Sequence, residues 1–275
     1  MEYRSLGQLQ VSVLGLGTSR LASLGARVSS ALEGRLLDVA TDVGVNFIDT
    51  ADTYGSSDCE RLLGDLLRTR RGKFHVGTKG GFTLCDFPPP LRILNQYGKK
   101  ALQATGHRQD FRPATLTRRI DASLRRLRID VIDAYYLHEP PADVLLSADV
   151  LAVLVAARDA GKIREIGVGG DDVAMLHRAA GVGPLAVVQT SVNPVVSTAQ
   201  TAALAAIVAA GRHVVANRAL RVPDSAGRFD TTALLRHAAA QPNVSSVLVG
   251  TSNVDHLQAN AEAFDRPITS ADSLT

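Results

Sequence analysis

Residues 45–55 read VNFIDTADTYG. The stretch opens as an apolar run of strand type, throws out two carboxylates, Asp49 and Asp52, and ends on Tyr54 and Gly55. Runs of the same kind recur along the chain: VSVLGLG (11–17), FHVGT (74–78), VIDAYYL (131–137), IREIGV (163–168), LAVVQ (185–189), HVVA (213–216) and VSSVLV (244–249). Most do not alternate polar with apolar, which is how strands covered on both faces of a parallel sheet read. Helix-type segments lie between them at 29–43, 58–69, 115–128, 149–160, 172–180, 198–210 and 231–240. Thr115 stands at the start of one, and Gly44, Gly161 and Gly211 close others.

Eight strands alternating with helices, without a domain break, predict an α/β protein of the (β/α)8 TIM barrel type. A doubly wound sheet is the alternative. The prediction is a single barrel domain over residues 1–275. The interval between the third and fourth strands is the longest. It holds a Pro-containing insertion at 81–113, expected to be a substrate loop.

Composition narrows the classes. The chain of 275 residues is 45% hydrophobic and 21% charged, ordinary for a soluble globular protein. Thirty basic residues against 27 acidic give a net charge of +3, too small to argue for nucleic acid. Basic pairs at 70–71, 99–100, 118–119 and 125–126 read as solvated helix faces or loop decoration. Two cysteines, Cys59 and Cys85, make neither a disulfide framework nor a zinc site. No signal peptide is visible in the first 20 residues, and no apolar stretch is long enough to span a bilayer. A cytoplasmic protein without membrane or nucleic-acid partners, monomeric or weakly self-associating, is expected.

Catalytic groups of such barrels sit at the C-terminal strand ends. Here those ends carry Thr18, Asp49, Lys79, His138, Gly169, Gln189, Asn217 and Gly250. Taken singly, a strand-end aspartate is a turn former, a lysine is solvated and a histidine packs. The barrel brings their tips to one small region, and the chemistry then coheres. A tyrosine titrates near 10, and a neighbouring ammonium such as that of Lys79 favours the phenolate and lowers that value. A buried ammonium needs a carboxylate, which Asp49 supplies. His138 orients a substrate oxygen or shares the proton. Tyr54, five residues beyond Asp49, becomes the general acid.

The segments NFIDTADTYG (46–55), GTKGG (77–81), YYLHEP (135–140), IREIGV (163–168), VVQTSVNP (187–194) and VLVGTSNVDHLQAN (247–260) resemble the aldo-keto reductase superfamily. The opening YRSLGQLQVSVLGLGT resembles that family's N-terminal hairpin and first strand. The family's tetrad falls on Asp49, Tyr54, Lys79 and His138. The resemblance implies NADP(H), with NAD(H) possible, extended across the barrel mouth, and a small-molecule carbonyl substrate. It places Gly17, Thr18, Asp49, Gly169, Gly170, Gln189, Asn217, Arg218, Leu220, Gly250, Thr251, Ser252, His256 and Asn260 along the cofactor. Gln189 would touch the carboxamide, the segment after strand seven the pyrophosphate, and 250–260 the adenosine end. Tyr54, Phe82 and His138 would face the substrate, with Phe87 and Tyr97 as further walls, while Arg92, Lys99, Lys100 and Arg108 would suit an acidic substrate. The chain stops soon after 253–263, so the long C-terminal specificity loop of some family members is expected to be absent.

Three departures stand against that pattern. Gly169-Gly170 replaces the common Ser-Asn. VVANRAL has no aromatic group to stack on the nicotinamide. Gly250 and His256 replace the Lys and Arg around the 2′-phosphate, leaving Arg218 and Arg221 as basic candidates. Restoring Ser at 169 and Asn at 170 is expected to tighten cofactor binding by about 0.5–1.5 kcal/mol each. The same departures keep two alternatives open: a non-redox biosynthetic enzyme, and a regulatory barrel that binds a dinucleotide without turnover.

Overall fold

A two-residue turn at Gly7-Gln8 folds Tyr3–Leu6 (β1) onto Leu9–Ser12 (β2) as an antiparallel hairpin. Gly7, at φ +60°, supplies the positive dihedral that such a turn needs at its first central position. Eight strands follow: β3 (Leu14–Gly17), β4 (Phe47–Asp49), β5 (His75–Gly80), β6 (Ile132–His138), β7 (Ile163–Gly169), β8 (Val187–Ser191), β9 (His213–Asn217) and β10 (Val244–Gly250). Each is parallel to the next, and β10 returns to pair with β3, so the sheet closes. Among the described residues the helices that follow the barrel strands are α1 (Ser30–Asp42), α2 (Asp58–Leu67), α3 (Pro113–Leu127), α4 (Ala148–Asp159), α5 (Val173–Gly181), α6 (Thr198–Ala209), α7 (Thr231–Ala240) and α8 (Val254–Glu262). This is the (β/α)8 barrel with an N-terminal hairpin. The computed structural model describes residues 1–21, 30–70, 72–84, 109–222 and 230–274.

Sequence chemistry sets the helix starts. Ser147, Asp172, Ser197, Asp230 and Asn253 each accept a main-chain N–H of the first turn with their side chains. Pro113 occupies the first position of α3, where its missing N–H costs nothing. The insertion expected at 81–113 therefore ends where that helix begins.

Two expectations need correction. VSVLGLG is not one strand: it breaks at Val13, whose N–H bonds Glu2 O at 2.9 Å, and its halves belong to the hairpin and to the barrel. The segment after β10, expected only as a cofactor-binding stretch, is the helix α8.

The apolar side chains form two clusters. The larger joins the outward faces of the strands to the helices. The smaller fills the barrel's N-terminal end, where Leu6, Leu9 and Val11 of the hairpin meet Phe47, Ala134, Tyr136, Val187, Val215 and Leu248. The hairpin thus plugs the bottom of the barrel. Gly167 makes room for the Tyr136 ring, since a Cβ there would lie 2.5 Å from Tyr136 Cδ1. Tyr136 in turn forms the floor beneath the site, 5.9 Å from Lys79 Nζ. Among the described residues no helix is long and apolar enough to cross a membrane.

Candidate active site

Register fixes the heights of the side chains. Asp49 pairs across with Gly77 of β5, which leaves Lys79 two residues further up the same strand. From there the lysine reaches back. Its Nζ donates to Asp49 Oδ2 at 2.5 Å and to Thr50 O at 2.8 Å, with both side chains 5% exposed or less. Asp49 Oδ1 accepts from Gln189 Nε2 at 2.9 Å, and Thr18 closes over the Asp49 carbonyl through its N–H and hydroxyl. Both buried charges are thereby hydrogen-bonded, the condition for holding them in a dry site. Burial is the strongest influence on Lys79 and works against its charge. Asp49, Tyr54 and their hydrogen bonds outweigh it, and the pKa lies above the ordinary lysine value.

Tyr54 begins a short 3-10 turn after β4. Its ring centroid lies 5.2 Å from Lys79 Nζ and 6.3 Å from the His138 ring, edge to face. The Lys79 ammonium is the strongest influence on the phenol and pulls its pKa down. Burial and the Asp49 charge together push harder, so Tyr54 sits above the ordinary tyrosine value. The net lowering expected from Lys79 is thus not found; the phenol keeps its proton across the neutral range.

His138, at the end of β6, carries Phe82 against its other side, with ring centroids 4.7 Å apart at 90°. A bridge to Gln109 seats Phe82, and Gln109 Nε2 donates to Glu139 O at 2.6 Å. Phe87, Tyr97, Arg92, Lys99, Lys100, Arg108 and Cys85 lie outside the described residues. Cys59 is buried against Thr18 and Thr50, and burial pushes its thiol up to about 11.

These groups floor a cavity of about 640 Å³ that runs across the mouth from β3 to β10. Its lining takes in Gly17, Thr18, Asp49, Tyr54, Lys79, His138, Gly169, Gly170, Gln189, Asn217, Arg218, Leu220 and Gly250. Thr251, Ser252, His256 and Asn260 stand apart from it. Thr251 and Asn260 are buried and His256 is exposed on the first turn of α8. Thr251 Oγ1 bonds the capping residue Asn253. Gln189 gives one of its two amide N–H groups to Asp49.

Asp171 gathers the rim. Its carboxylate accepts from Thr190 Oγ1 at 3.0 Å, from Ser191 N and Oγ at 2.8 Å, and from the Arg218 guanidinium. Asp171 therefore ties the loops after β7 and β9 together rather than standing as a free acceptor. Arg218, at φ +52°, is held by that pair, while Arg20 and Arg221 line the same cavity. Sequence reasoning missed Arg20, Glu139 and Gln109. The strand-end rule, extended two residues past Thr18, would have found the first.

The glycines have a steric reason. A Cβ on Gly170 would come within 2.9 Å of Met175 Cε and 3.3 Å of Glu139 Cα. Met175 Cε is the free end of a flexible side chain and can swing aside, so Gly170→Asn is expected to lower stability by about 1 kcal/mol, through the contact with the Glu139 main chain, which a urea melt would register. A Cβ on Gly169 would stand 3.3 Å from Gln189 Oε1, a tighter fit than side-chain restoration assumed.

A paired lysine and aspartate thus lie beneath a tyrosine, beside a histidine, at the C-terminal mouth of the barrel. The aldo/keto reductase family pattern matches residues 13–222, and the chain belongs to that family. It is 35% identical over 207 residues to a 6-dehydroglucose reductase of Novosphingobium aromaticivorans, covering 70% of this chain and 60% of that protein. It is 28% identical to an aldo-keto reductase [NADP(+)] of Schizosaccharomyces pombe over 70% of this chain and 52% of that one. The matches thus span 60% or less of the length of these relatives. The barrel superposes on an aldo-keto reductase of Bacillus halodurans in its holo form with a TM-score of 0.81. That match has 22% identity and covers 99% of this chain and 93% of the other.

Proposed function

We propose that the protein is an NAD(P)H-dependent oxidoreductase that reduces an aldehyde or ketone to the alcohol, with Tyr54 as general acid. The observation that carries this is the buried Lys79–Asp49 pair set under the Tyr54 ring at the floor of the cavity. Family membership and the NADP(+) reductase of S. pombe support the cofactor.

The residues present fit a dinucleotide. Gly17, Gly169, Gly170 and Gly250 leave the wall bare of side chains, and Arg20, Arg218 and Arg221 supply cations along it. When bound, the reduced nicotinamide supplies a hydride. Tyr54 then holds its proton toward the carbonyl oxygen, helped by His138. Lys79 stabilises the negative charge left on the phenolic oxygen, and Asp49 keeps Lys79 charged and in place. Phe82 and the residues around it shape the substrate side. The assignment extends to a monomer or weak homo-oligomer acting in the cytoplasm.

Loss of the reduced-nicotinamide absorbance with a panel of aldehydes and ketones tests the reading. Cofactor binding without turnover would make the protein a regulatory barrel instead; no cofactor binding would make it a non-redox enzyme. A second prediction concerns the rim. Asp171→Ala releases Arg218 and unties the β9 loop. It is expected to weaken NADPH binding about tenfold, the equivalent of one lost charge-assisted hydrogen bond. Unchanged affinity in a calorimetric titration would remove Asp171 from the cofactor site.

A further inference from the structure

Tyr54 is followed by three residues in left-handed backbone: Gly55 at φ +57°, Ser56 at +54° and Ser57 at +74°. Glycine takes this conformation freely. Two serines in succession take it only where the surroundings over-determine them, and such strain gathers at working sites. Main-chain bonds from Tyr54 N to Ala51 O at 3.1 Å and from Ser56 N to Thr53 O at 3.2 Å close the turn, and Asp52 ties it at both the hydroxyl of Ser57 and the neighbouring strand. Ser57 Oγ donates to Asp52 O at 3.0 Å. The Asp52 N–H donates to Lys79 O at 3.0 Å, so the residue also stitches the turn to the strand that carries the lysine.

The Asp52 side chain points away from the site. It enters a buried layer between the barrel wall and helices α2 and α3, where Arg119 Nη1 donates to Oδ2 at 2.6 Å. The two side chains are 0% and 11% exposed. Around them lie Glu60, paired with Arg126 at 2.6 Å, and the Tyr135 hydroxyl. A Cβ on Gly80 would fall 2.1 Å from Tyr135 Oη and 3.4 Å from Asp52 Oδ2, so this layer presses directly on the backbone beside Lys79. Burial, opposed by Arg119, pushes Asp52 up to about 7.

We propose that Asp52 and Arg119 are positioning residues for Tyr54, fixing from outside the barrel the strained turn that holds the phenol over Lys79. The proposal rests on the role given to Tyr54 above. A brace for the fold alone would change the melting temperature and leave the chemistry per folded molecule intact. A positioning pair changes kcat while cofactor binding stays, because a misplacement of about 1 Å can cost as much as 10²-fold in rate.

The experiment compares wild type, Asp52→Asn, Arg119→Lys and Ser57→Ala with NADPH and 4-nitrobenzaldehyde, and records the ¹³Cζ resonance of Tyr54, assigned by its absence in Tyr54→Phe. Ser57→Ala removes the bond to the Asp52 main chain and leaves the buried charges paired, so it reports on the turn. Arg119→Lys, which keeps a cation opposite Asp52 and is expected to lower kcat and displace the Tyr54 resonance as well, carries the decision if Asp52→Asn does not fold. The expected result is a fall in kcat of about tenfold for Asp52→Asn and a smaller one for Ser57→Ala. The NADPH Kd should stay within about twofold and the Tyr54 resonance should be displaced in each variant. Wild-type kcat and an unmoved Tyr54 resonance, with only the melt lowered, would overturn the proposal. If wild type itself does not turn over the aldehyde, the reductase reading is the one in trouble, and the resonance alone decides the positioning.

Discussion

Lys79→Met should lose both turnover and stability. The substitution keeps the unbranched chain as far as Cε and removes the ammonium with its charge. Asp49 is then left as a carboxylate 5% exposed, with Gln189 as its remaining side-chain donor. The Thr50 carbonyl loses the same ammonium. Breaking a buried pair by removing one partner costs about 3–5 kcal/mol, much of it the penalty of the orphaned charge. The catalytic effect is separable. Lys79 is the strongest influence on the Tyr54 phenol and the one that lowers its pKa, while burial and Asp49 already hold it high. Without Lys79 the phenol becomes a weaker acid still. The limb of the pH–rate profile assigned to the acid should move upward and kcat should fall. A urea melt and a pH–rate series on one preparation measure both. A variant with an unmoved profile would show that Lys79 does not tune Tyr54, whatever its stability.

The barrel was legible because parallel strands covered on both faces have no reason to alternate, and eight such runs stood out between helical segments. The strand ends were legible for the converse reason: apolar runs that stop on Asp49, Lys79 and His138 place polar groups where the packed interior gives way to the mouth. The same continuity hid the break at Val13. Val11 belongs to the plug at the barrel's base and Leu14 and Leu16 face the helices, so both halves of VSVLGLG read alike. Helix α8 escaped because VDHLQANAE is short and largely polar.

The charges misled most. Arg119 and Arg126 sit in basic pairs that read as solvated, yet their side chains are 11% and 9% exposed and each meets a fully buried carboxylate. They are seven residues apart, two turns of α3, and share the face turned to the barrel. Ion pairing across sequence separations of 66 and 67 residues leaves no local signal in a single chain. Asp49 and Asp52 looked like neighbours in one site. Asp49 projects into the barrel and Asp52 into the layer behind it.

Tyr54→Phe isolates the proton donor, because it leaves nearly everything else in place. The ring that Lys79 faces at 5.2 Å survives, and so does the edge-to-face contact with His138. A phenylalanine keeps the negative face that attracts an ammonium, so Lys79 retains its company and its bond to Asp49. Fold, melting temperature and NADPH affinity should therefore stay close to those of wild type. What goes is the hydroxyl with its hydrogen bond to Lys79, and with it the acid that meets the carbonyl oxygen. General acid catalysis is worth about 10²–10⁴-fold, and kcat should drop within that range. The pH dependence should change in kind: the limb that belongs to Tyr54 should vanish rather than shift, which separates this variant from Lys79→Met. If Tyr54→Phe turned over at the wild-type rate with the same profile, the proton would have to come from His138 or from water. The buried pair beneath the ring would then serve the fold and not the reaction.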